Sequence, residues 1–269
     1  MTQKLFIGVG HGGDDPGAVG YIREETVNLN IALACRDYLK DYDVDIKMSR
    51  TKDENDPLTE EIKECNAFIT KSSQGYAVDI HNNAGGGDGF EAYHSVKGGA
   101  GKTLALNIEK EIKAIGQNSR GVKTRKNSSG SDYYGFIRQT IAPAVIIECV
   151  FVDNKKDAAQ ADTLAEQKAF GVAVAKGIIK TMGLKKKKAA ETSKKETAGT
   201  NKKGEYLVKV EPSSLNIRTG PGSEYKKVGA IVDRGTYTIV ETAKAKDGGT
   251  WGKLKSGKGW INLHYTKKV

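Results

Sequence analysis

Four short apolar runs alternate with four amphipathic stretches in residues 1–182, and this alternation limits the possible folds more than any other feature. The runs are typical of buried strands and comprise LFIGV at 5–9, VDIKMS at 44–49, YAVDIH at 76–81 and AVIIEC at 144–149. Apolar residues recur at helical spacing between and after them, within 27–39, 58–69, 104–115 and 170–178. The pattern predicts an α/β domain in which helices flank a mostly parallel sheet.

Residues 183–204 divide the chain. This segment contains no aromatic and almost no aliphatic residue, so it cannot bury enough apolar surface to offset the entropy of ordering. We predict a flexible basic linker here. Residues 205–269 consist of short alternating segments separated by Gly, Pro and Asp, a pattern typical of a small all-β barrel. The expected organisation is therefore a domain over 1–182, the linker, and a second domain over 205–269.

The net charge of +10 is concentrated in the last third of the chain. Residues 1–182 carry 23 basic and 25 acidic side chains, whereas 183–204 carry 8 against 2 and 205–269 carry 12 against 6. A basic linker and a basic small domain favour a polyanionic partner, such as nucleic acid, anionic lipid or a cell-wall polymer.

The amino-terminal residues and the cysteines bear on the compartment. The first residues read as a buried strand rather than a secretory signal, and no stretch approaches the roughly 20 apolar residues of a membrane span. The three cysteines include no CxxC pair, which fits a reducing compartment. We expect a protein made in the cytoplasm without a signal peptide and without membrane insertion.

The stretch GVGHGGDDPG at 8–17 contains two competing motifs. Gly8, Gly10 and Gly13 match the G-x-G-x-x-G spacing of a dinucleotide-binding turn. That motif requires a helix to open at the third glycine, but here two aspartates and a Pro-Gly turn follow, and the first helix is predicted to begin near Thr26. The context disfavours a nucleotide-binding protein and leaves the histidine in the turn as the more informative residue.

His11 and His81 each follow the carboxyl end of a predicted strand, and Glu148 ends a third strand. The ends of parallel strands converge on one crevice, and Glu24 and Glu25 are expected in the loop on the same side. Two histidines and a glutamate are a common catalytic zinc shell. Position alone neither separates a metal site from two unrelated histidines nor chooses between the two glutamates.

Four fragments in one order resemble the zinc-dependent N-acetylmuramoyl-L-alanine amidases of the amidase-3 type. They are HGGDDPGAVG at 11–20, Glu24 before VNLNIA, DIHNNA at 79–84 and PAVIIECVFVDN at 143–154. The resemblance implies that His11, Glu24 and His81 bind Zn²⁺ and that Glu148 is the catalytic carboxylate. Glu24 is preferred to Glu25 because the family's glutamate stands three residues before the position of Val27.

Two positions depart from the family pattern, which more often has serine at Asp79 and glycine at Cys149. Neither is a ligand position. A thiol nucleophile at Cys149 is disfavoured because no histidine is adjacent in sequence and strand alternation turns the side chain away from Glu148. His94 and His264 are expected to be structural or exposed.

The carboxyl-terminal residues, about 206–266, resemble bacterial SH3-type cell-wall-binding domains, most specifically in LNIRTGPG. Trp251 and Trp260 are expected to be half buried. The resemblance implies that the partners are peptidoglycan and anionic polymers of a Gram-positive wall, rather than nucleic acid or a membrane.

The implied reaction is hydrolysis of the amide between the lactyl group of N-acetylmuramic acid and L-alanine, with Glu148 accepting a proton from water. The arrangement resembles bacteriophage endolysins, most closely those of clostridial phages, which accumulate in the host cytoplasm and act on the wall after release. A bacterial autolysin with the same chemistry and a catalytically inactive wall-binding protein are the alternatives.

Overall fold

The structure is a computed structural model that describes residues 2–187, 205–212, 214–231, 235–246 and 248–269. The chain divides into two compact units, residues 1–190 and 191–269. Most of the predicted linker, residues 188–204, lies outside the described residues. No helix in the described ranges is long and apolar enough to cross a membrane.

The amino-terminal unit is built on a six-stranded mixed sheet. Its strands are β1 Gln3–Val9, β2 Val44–Met48, β3 Gly75–Asn83, β4 Phe90–His94, β5 Ser119–Lys123 and β6 Ala144–Phe151. They are ordered β2-β1-β3-β6-β4-β5, and every pairing is parallel except that of β4 with β6. The four predicted strands and the mostly parallel sheet are confirmed, whereas β4, β5 and the antiparallel pairing were not predicted.

Helices cover both faces of this sheet. They are α1 Glu24–Leu39, α2 Leu58–Phe68, α3 Ala100–Ala114, α4 Gly135–Gln139, α5 Lys155–Ala158 and α6 Leu164–Met182. Helices α1, α3 and α6 pack together over one face, and α2 and α4 cover part of the other. Helix α1 begins at Glu24 rather than near Thr26, so both glutamates predicted in a loop lie in its first turn.

Strand alternation decides which side chains reach each face. Val145, Ile147 and Cys149 are buried in the core beneath α1, α3 and α6, whereas Ile146 packs against α2 and α4. Glu148 has the parity of Ile146 and therefore lies on the α2/α4 face. Cys149 turns away from it into the core, as predicted.

The carboxyl-terminal unit is an antiparallel sheet ordered β13-β7-β10-β11-β12-β8-β9. Its strands are β7 Tyr206–Val210, β8 Leu215–Arg218, β9 Lys227–Ile231, β10 Thr236–Lys244, β11 Thr250–Leu254, β12 Trp260–Asn262 and β13 Thr266–Lys268. The all-β class is as predicted, and the SH3-like assignment stays a prediction. The expected half-burial of Trp251 and Trp260 is wrong, because both side chains are buried and pack together with Ala245.

The first residues of the predicted linker pack on the amino-terminal unit. Leu184 is buried in its larger core, and the backbone N–H of Lys187 donates to the carbonyl of Asp41 at 2.7 Å. The packed chain therefore extends through Lys187, five residues beyond the predicted boundary at 182. The buried side chain of Leu184 and the backbone hydrogen bond of Lys187 hold this short stretch against the unit.

Candidate metal centre

The glycine turn after β1 allows close approach between His11, Glu24 and His81. A Cβ on Gly10 would overlap the His81 ring, and one on Gly17 would lie 2.7 Å from both Glu24 Oε2 and His11 Cδ2. His11 itself has φ +64°, a left-handed conformation that is rare outside glycine. The glycines of the turn therefore leave room for the His11 imidazole to lie beside the His81 imidazole and the Glu24 carboxylate.

The geometry of the same turn disfavours the nucleotide-binding interpretation. The backbone N–H of Gly13 donates to Asp53 Oδ1 at 2.8 Å, and that of Asp14 donates to Asn55 Oδ1 at 2.7 Å. A phosphate-binding turn needs its N–H groups free and no carboxylates around them. Here side-chain oxygens already accept these hydrogen bonds, and one belongs to a carboxylate.

The structure brings together the three predicted metal ligands. One ligand atom from each of His11, Glu24 and His81 lies within 4.8 Å of the others. Glu24 Oε1 is 3.3 Å from His11 Nε2 and 3.0 Å from His81 Nδ1. Glu25 instead pairs with Arg23 at 2.7 Å. Glu24 therefore lies between the two histidines, whereas Glu25, one position further along the first turn of α1, points away from them.

Each histidine also contacts a carboxylate through its other ring nitrogen. His11 Nδ1 is 2.8 Å from Asp15 Oδ2, and His81 Nε2 is 3.3 Å from Asp79 Oδ2. Metal-binding histidines commonly donate their second N–H to a carboxylate, which fixes the tautomer and the ring orientation. Neither contact was predicted, although Asp79 stands two residues before His81 on the same strand face.

The pKa shifts within the cluster favour an ionised Glu24 and extra positive charge at the two histidines. Burial lowers the pKa of His81, but Asp79 and Glu24 outweigh it and hold the pKa well above its usual value. The hydrogen bond to Glu24 raises the pKa of His11. Burial raises the pKa of Glu24, but hydrogen bonds from both histidines hold it well below its ordinary range. An ionised carboxylate between two imidazoles that attract extra protons presents the donor set and charge that fit a divalent metal.

Glu148 lies beside this cluster. Strands β3 and β6 pair in parallel with His81 opposite Glu148, and neighbouring strands are about 4.8 Å apart. Its Oε2 atom is buried and has no hydrogen-bond partner among the described residues. Burial raises the pKa of Glu148 to about 7, with His81 opposing the rise and Glu24 adding to it. A carboxyl with a pKa near neutrality can accept and return a proton.

Glu61 of α2 extends the site behind Asp79, and sequence patterns did not reveal it. Glu61 Oε1 and Asp79 Oδ1 both lie against Gly8, where a Cβ would overlap the former and stand 2.8 Å from the latter. Burial and the neighbouring Asp79 raise the pKa of Glu61 well above its usual value. Both residues line a cavity of about 300 Å³ on the α2/α4 face, and this cavity also contacts His11 and His81.

The remaining histidines lie away from the cluster. His94 is buried on β4, with Nδ1 2.7 Å from the carbonyl oxygen of Ser95, and His264 is exposed in a short 3₁₀ helix. Both placements agree with the structural or exposed roles expected for them.

The chain is similar to known amidases over its amino-terminal unit and to an endolysin over nearly its whole length. Residues 5–180 match the Amidase_3 family, described as N-acetylmuramoyl-L-alanine amidase. The amidase CwlM of Bacillus licheniformis is 34% identical over 192 residues, 70% of this chain and 72% of that protein. An endolysin of Bacillus phage SPP1 is 32% identical over 273 residues, 96% of this chain and 94% of that protein.

A solved structure agrees with these sequence matches. The catalytic domain of CwlV, an N-acetylmuramoyl-L-alanine amidase from Bacillus (Paenibacillus) polymyxa var. colistinus, superposes with a TM-score of 0.60 at 27% identity and covers 68% of this chain and 99% of that domain. With a family match over most of the amino-terminal unit, a full-length endolysin relative and this shared fold, the chain belongs to the N-acetylmuramoyl-L-alanine amidase family.

Proposed function

We propose that this chain is a zinc-dependent amidase in which His11, Glu24 and His81 hold the metal and Glu148 is the catalytic carboxylate. The observation that carries the proposal is the convergence of three ligand atoms within 4.8 Å, with Glu148 on the adjoining strand. Zinc bound at such a site would polarise a carbonyl group. It would also lower the pKa of a water molecule to about 7, so that the water can attack the carbonyl at neutral pH.

The chain's own residues then have distinct tasks. Glu148 accepts a proton from the attacking water and returns it to the departing amine of L-alanine, which a carboxyl with a pKa near 7 can do in both directions. Asp15 and Asp79 hold the two imidazoles through their outer nitrogens, so that the inner nitrogens face Glu24. The cavity beside His11 and His81 gives the substrate access on the α2/α4 face.

Purified muropeptides and purified protein test this assignment. We expect new amino-terminal L-alanine, no new reducing sugar, and about one zinc ion per chain by elemental analysis. Glu148→Gln is expected to abolish turnover and to keep the zinc, whereas His81→Ala is expected to lose both. Release of reducing sugars without alanine amines, or full activity of Glu148→Gln, would contradict the assignment.

We further propose that the protein acts as an endolysin, made inside the host cell and acting on a Gram-positive wall after release. The relative in phage SPP1 supports this role because the similarity continues through the carboxyl-terminal unit. That unit carries 12 basic against 6 acidic side chains, which suits an SH3-type module attracted to anionic wall polymers. A bacterial autolysin with the same chemistry is the alternative.

Two measurements test this role. The gene is expected to restore lysis to a phage that lacks its own lysin. Sedimentation of the full chain with purified walls is expected to weaken as salt rises and as anionic polymers are stripped from the walls. Binding that ignores both salt and polymer content would contradict the proposed attraction.

A further inference from the structure

A group of charged residues lies beside the proposed catalytic carboxylate on the side away from the histidines. Glu91 of β4 stands directly opposite Glu148 in the antiparallel pairing with β6, so the two side chains share the α2/α4 face. Glu91 is 4% exposed. Its Oε1 atom accepts from Arg120 Nε at 2.5 Å and from Lys123 Nζ at 2.6 Å, both on the edge strand β5.

The two cations are more accessible than the carboxylate that holds them. The Arg120 side chain is 45% exposed and the Lys123 side chain is 33% exposed. One buried carboxylate against two cations gives this group of three residues a net positive charge. Within the described residues, the guanidinium of Arg120 makes its one hydrogen bond through Nε, and its terminal nitrogens remain available for a ligand.

The distance from Glu148 matches the length of a short piece of substrate. Glu91 is one strand away from Glu148, and the charged groups of Arg120 and Lys123 lie against the Glu91 carboxylate, which places them roughly 5–8 Å from the catalytic position. An extended peptide advances about 3.3–3.6 Å per residue. A group about two residues beyond the scissile amide would therefore reach Arg120 and Lys123.

The chemistry of the substrate identifies the ligand. In the amidase reaction the lactyl carboxyl of the sugar is consumed in the scissile bond, so a carboxylate that binds these cations has to come from the peptide side. We propose that Arg120 and Lys123, held by Glu91, form a subsite for the free carboxylate on the second residue of the stem peptide. This inference rests on the proposed amidase function and adds a determinant of substrate choice to it.

Paired substrates separate this role from a structural one. A soluble muramyl dipeptide with a free carboxylate on its second residue is compared with the same compound in which that group is a carboxamide. The wild type is expected to favour the acid in kcat/KM by about tenfold or more, as a charge-assisted hydrogen bond would give. Arg120→Gln and Lys123→Gln are each expected to bring the ratio severalfold nearer to one. The ratio does not depend on the fraction of protein that folds.

The chain supplies a matched control on the opposite face of the sheet. Asp37 of α1 pairs with Arg36 at 2.7 Å and Lys40 at 2.6 Å, which repeats the pattern of one carboxylate and two cations. Arg36→Gln and Lys40→Gln remove the same charges and are expected to leave the ratio unchanged. An acid-to-amide ratio that stays the same in Arg120→Gln and Lys123→Gln, or that falls equally in the control variants, would overturn the subsite.

Direct binding distinguishes failure of this inference from failure of the amidase assignment. Calorimetry with the free product dipeptide, as acid and as amide, measures the subsite without turnover. The wild type is expected to bind the acid more tightly and Arg120→Gln to lose that difference. If neither muramyl dipeptide releases alanine amine, the proposed function fails, and equal binding of both product dipeptides to the wild type then overturns the subsite as well.

Discussion

Glu148→Gln tests whether the carboxylate beside the metal cluster is held for catalysis at a cost in stability. The substitution keeps the shape of the side chain and removes its charge. In the folded protein without metal, burial raises the pKa of Glu148 from its ordinary value of 4.5 to about 7. The folded state therefore binds this proton more tightly than the unfolded state does, and the stabilisation is complete below pH 4.5 and lost as the pH rises through 7.

The magnitude follows from the two pKa values. One unit of pKa corresponds to about 1.4 kcal/mol, so an ionised Glu148 lowers the free energy of unfolding at pH 8 by about 3 kcal/mol relative to a freely solvated carboxylate. The amide of glutamine leaves a buried polar atom without a partner, which costs about 1 kcal/mol or more. We expect metal-free Glu148→Gln to be about 1–2 kcal/mol more stable than the wild type at pH 8 and no more stable at pH 4.

Denaturant unfolding of the chelated full chain provides the measurement. All α-helices of the described chain lie in the amino-terminal unit, so circular dichroism at 222 nm follows that unit. The only two tryptophans, Trp251 and Trp260, lie in the carboxyl-terminal unit, and their fluorescence serves as an internal control. The dichroism transition is expected to shift at pH 8, and the fluorescence transition is expected to stay in place.

Two outcomes would contradict this account of the Glu148 carboxylate. A Glu148→Gln protein that is less stable than the wild type at pH 8 would refute the claim that the carboxylate is unfavourably buried. A gain that persists at pH 4 would show that its origin is not ionisation. Loading with zinc is expected to reduce the gain, because a nearby cation favours the ionised carboxylate.

Three further predictions concern the metal cluster. Asp79→Asn is expected to weaken zinc binding about 10- to 100-fold, measured in competition with a chromophoric chelator, because Asp79 contacts His81. The control Asp45→Asn changes an exposed residue and is expected to leave the affinity unchanged. Equal zinc affinities of the two variants would refute the role of Asp79 behind His81. Gly10→Ala is expected to abolish zinc binding because the new Cβ would overlap the His81 ring. The control Gly229→Ala is expected to be tolerated, since its Cβ would lie 3.9 Å from the nearest atom, Ile217 Cδ1. A normal zinc content in Gly10→Ala would contradict the close packing of this turn against His81. Chelation is expected to remove activity reversibly, with recovery on adding zinc, and activity that survives chelation would exclude a metal-dependent reaction.

Sequence patterns predicted the positions of those site residues that belong to one strand or to the turn directly after it. Parallel strand order brings His11, His81 and Glu148 towards the carboxyl ends of three strands, as predicted. Only His11 follows its strand, because β3 continues to Asn83 and β6 to Phe151, so the predicted strand ends at His81 and Glu148 are wrong by two or three residues. The strands β4 and β5 were not predicted because both are only five residues long, and a glutamate and a histidine interrupt the apolar residues of FEAYH while SRGVK is largely polar. They lie at the side of the sheet where β4 runs antiparallel, which local hydrophobic periodicity does not encode.

The choice between Glu24 and Glu25 shows the limit of local patterns. Adjacent residues in the first turn of a helix point about 100° apart, so the exact start of α1 decides which one faces the histidines. The amidase resemblance implied Glu24, which contacts both histidines in the structure, whereas Glu25 turns to Arg23. Residue spacing by itself had left both open.

By itself the sequence determined the α/β class of the first unit, the all-β class of the second, and the place of His11, His81 and Glu148 near the carboxyl ends of their strands, because these follow from periodicity within a few residues. Only the tertiary structure decided which distant groups surround them. Glu61 reaches Asp79 from α2, and Arg120 reaches Glu91 across 29 residues of chain. Such pairings depend on strand order and helix packing, so they set the electrostatics around the candidate site without leaving a local sequence signal.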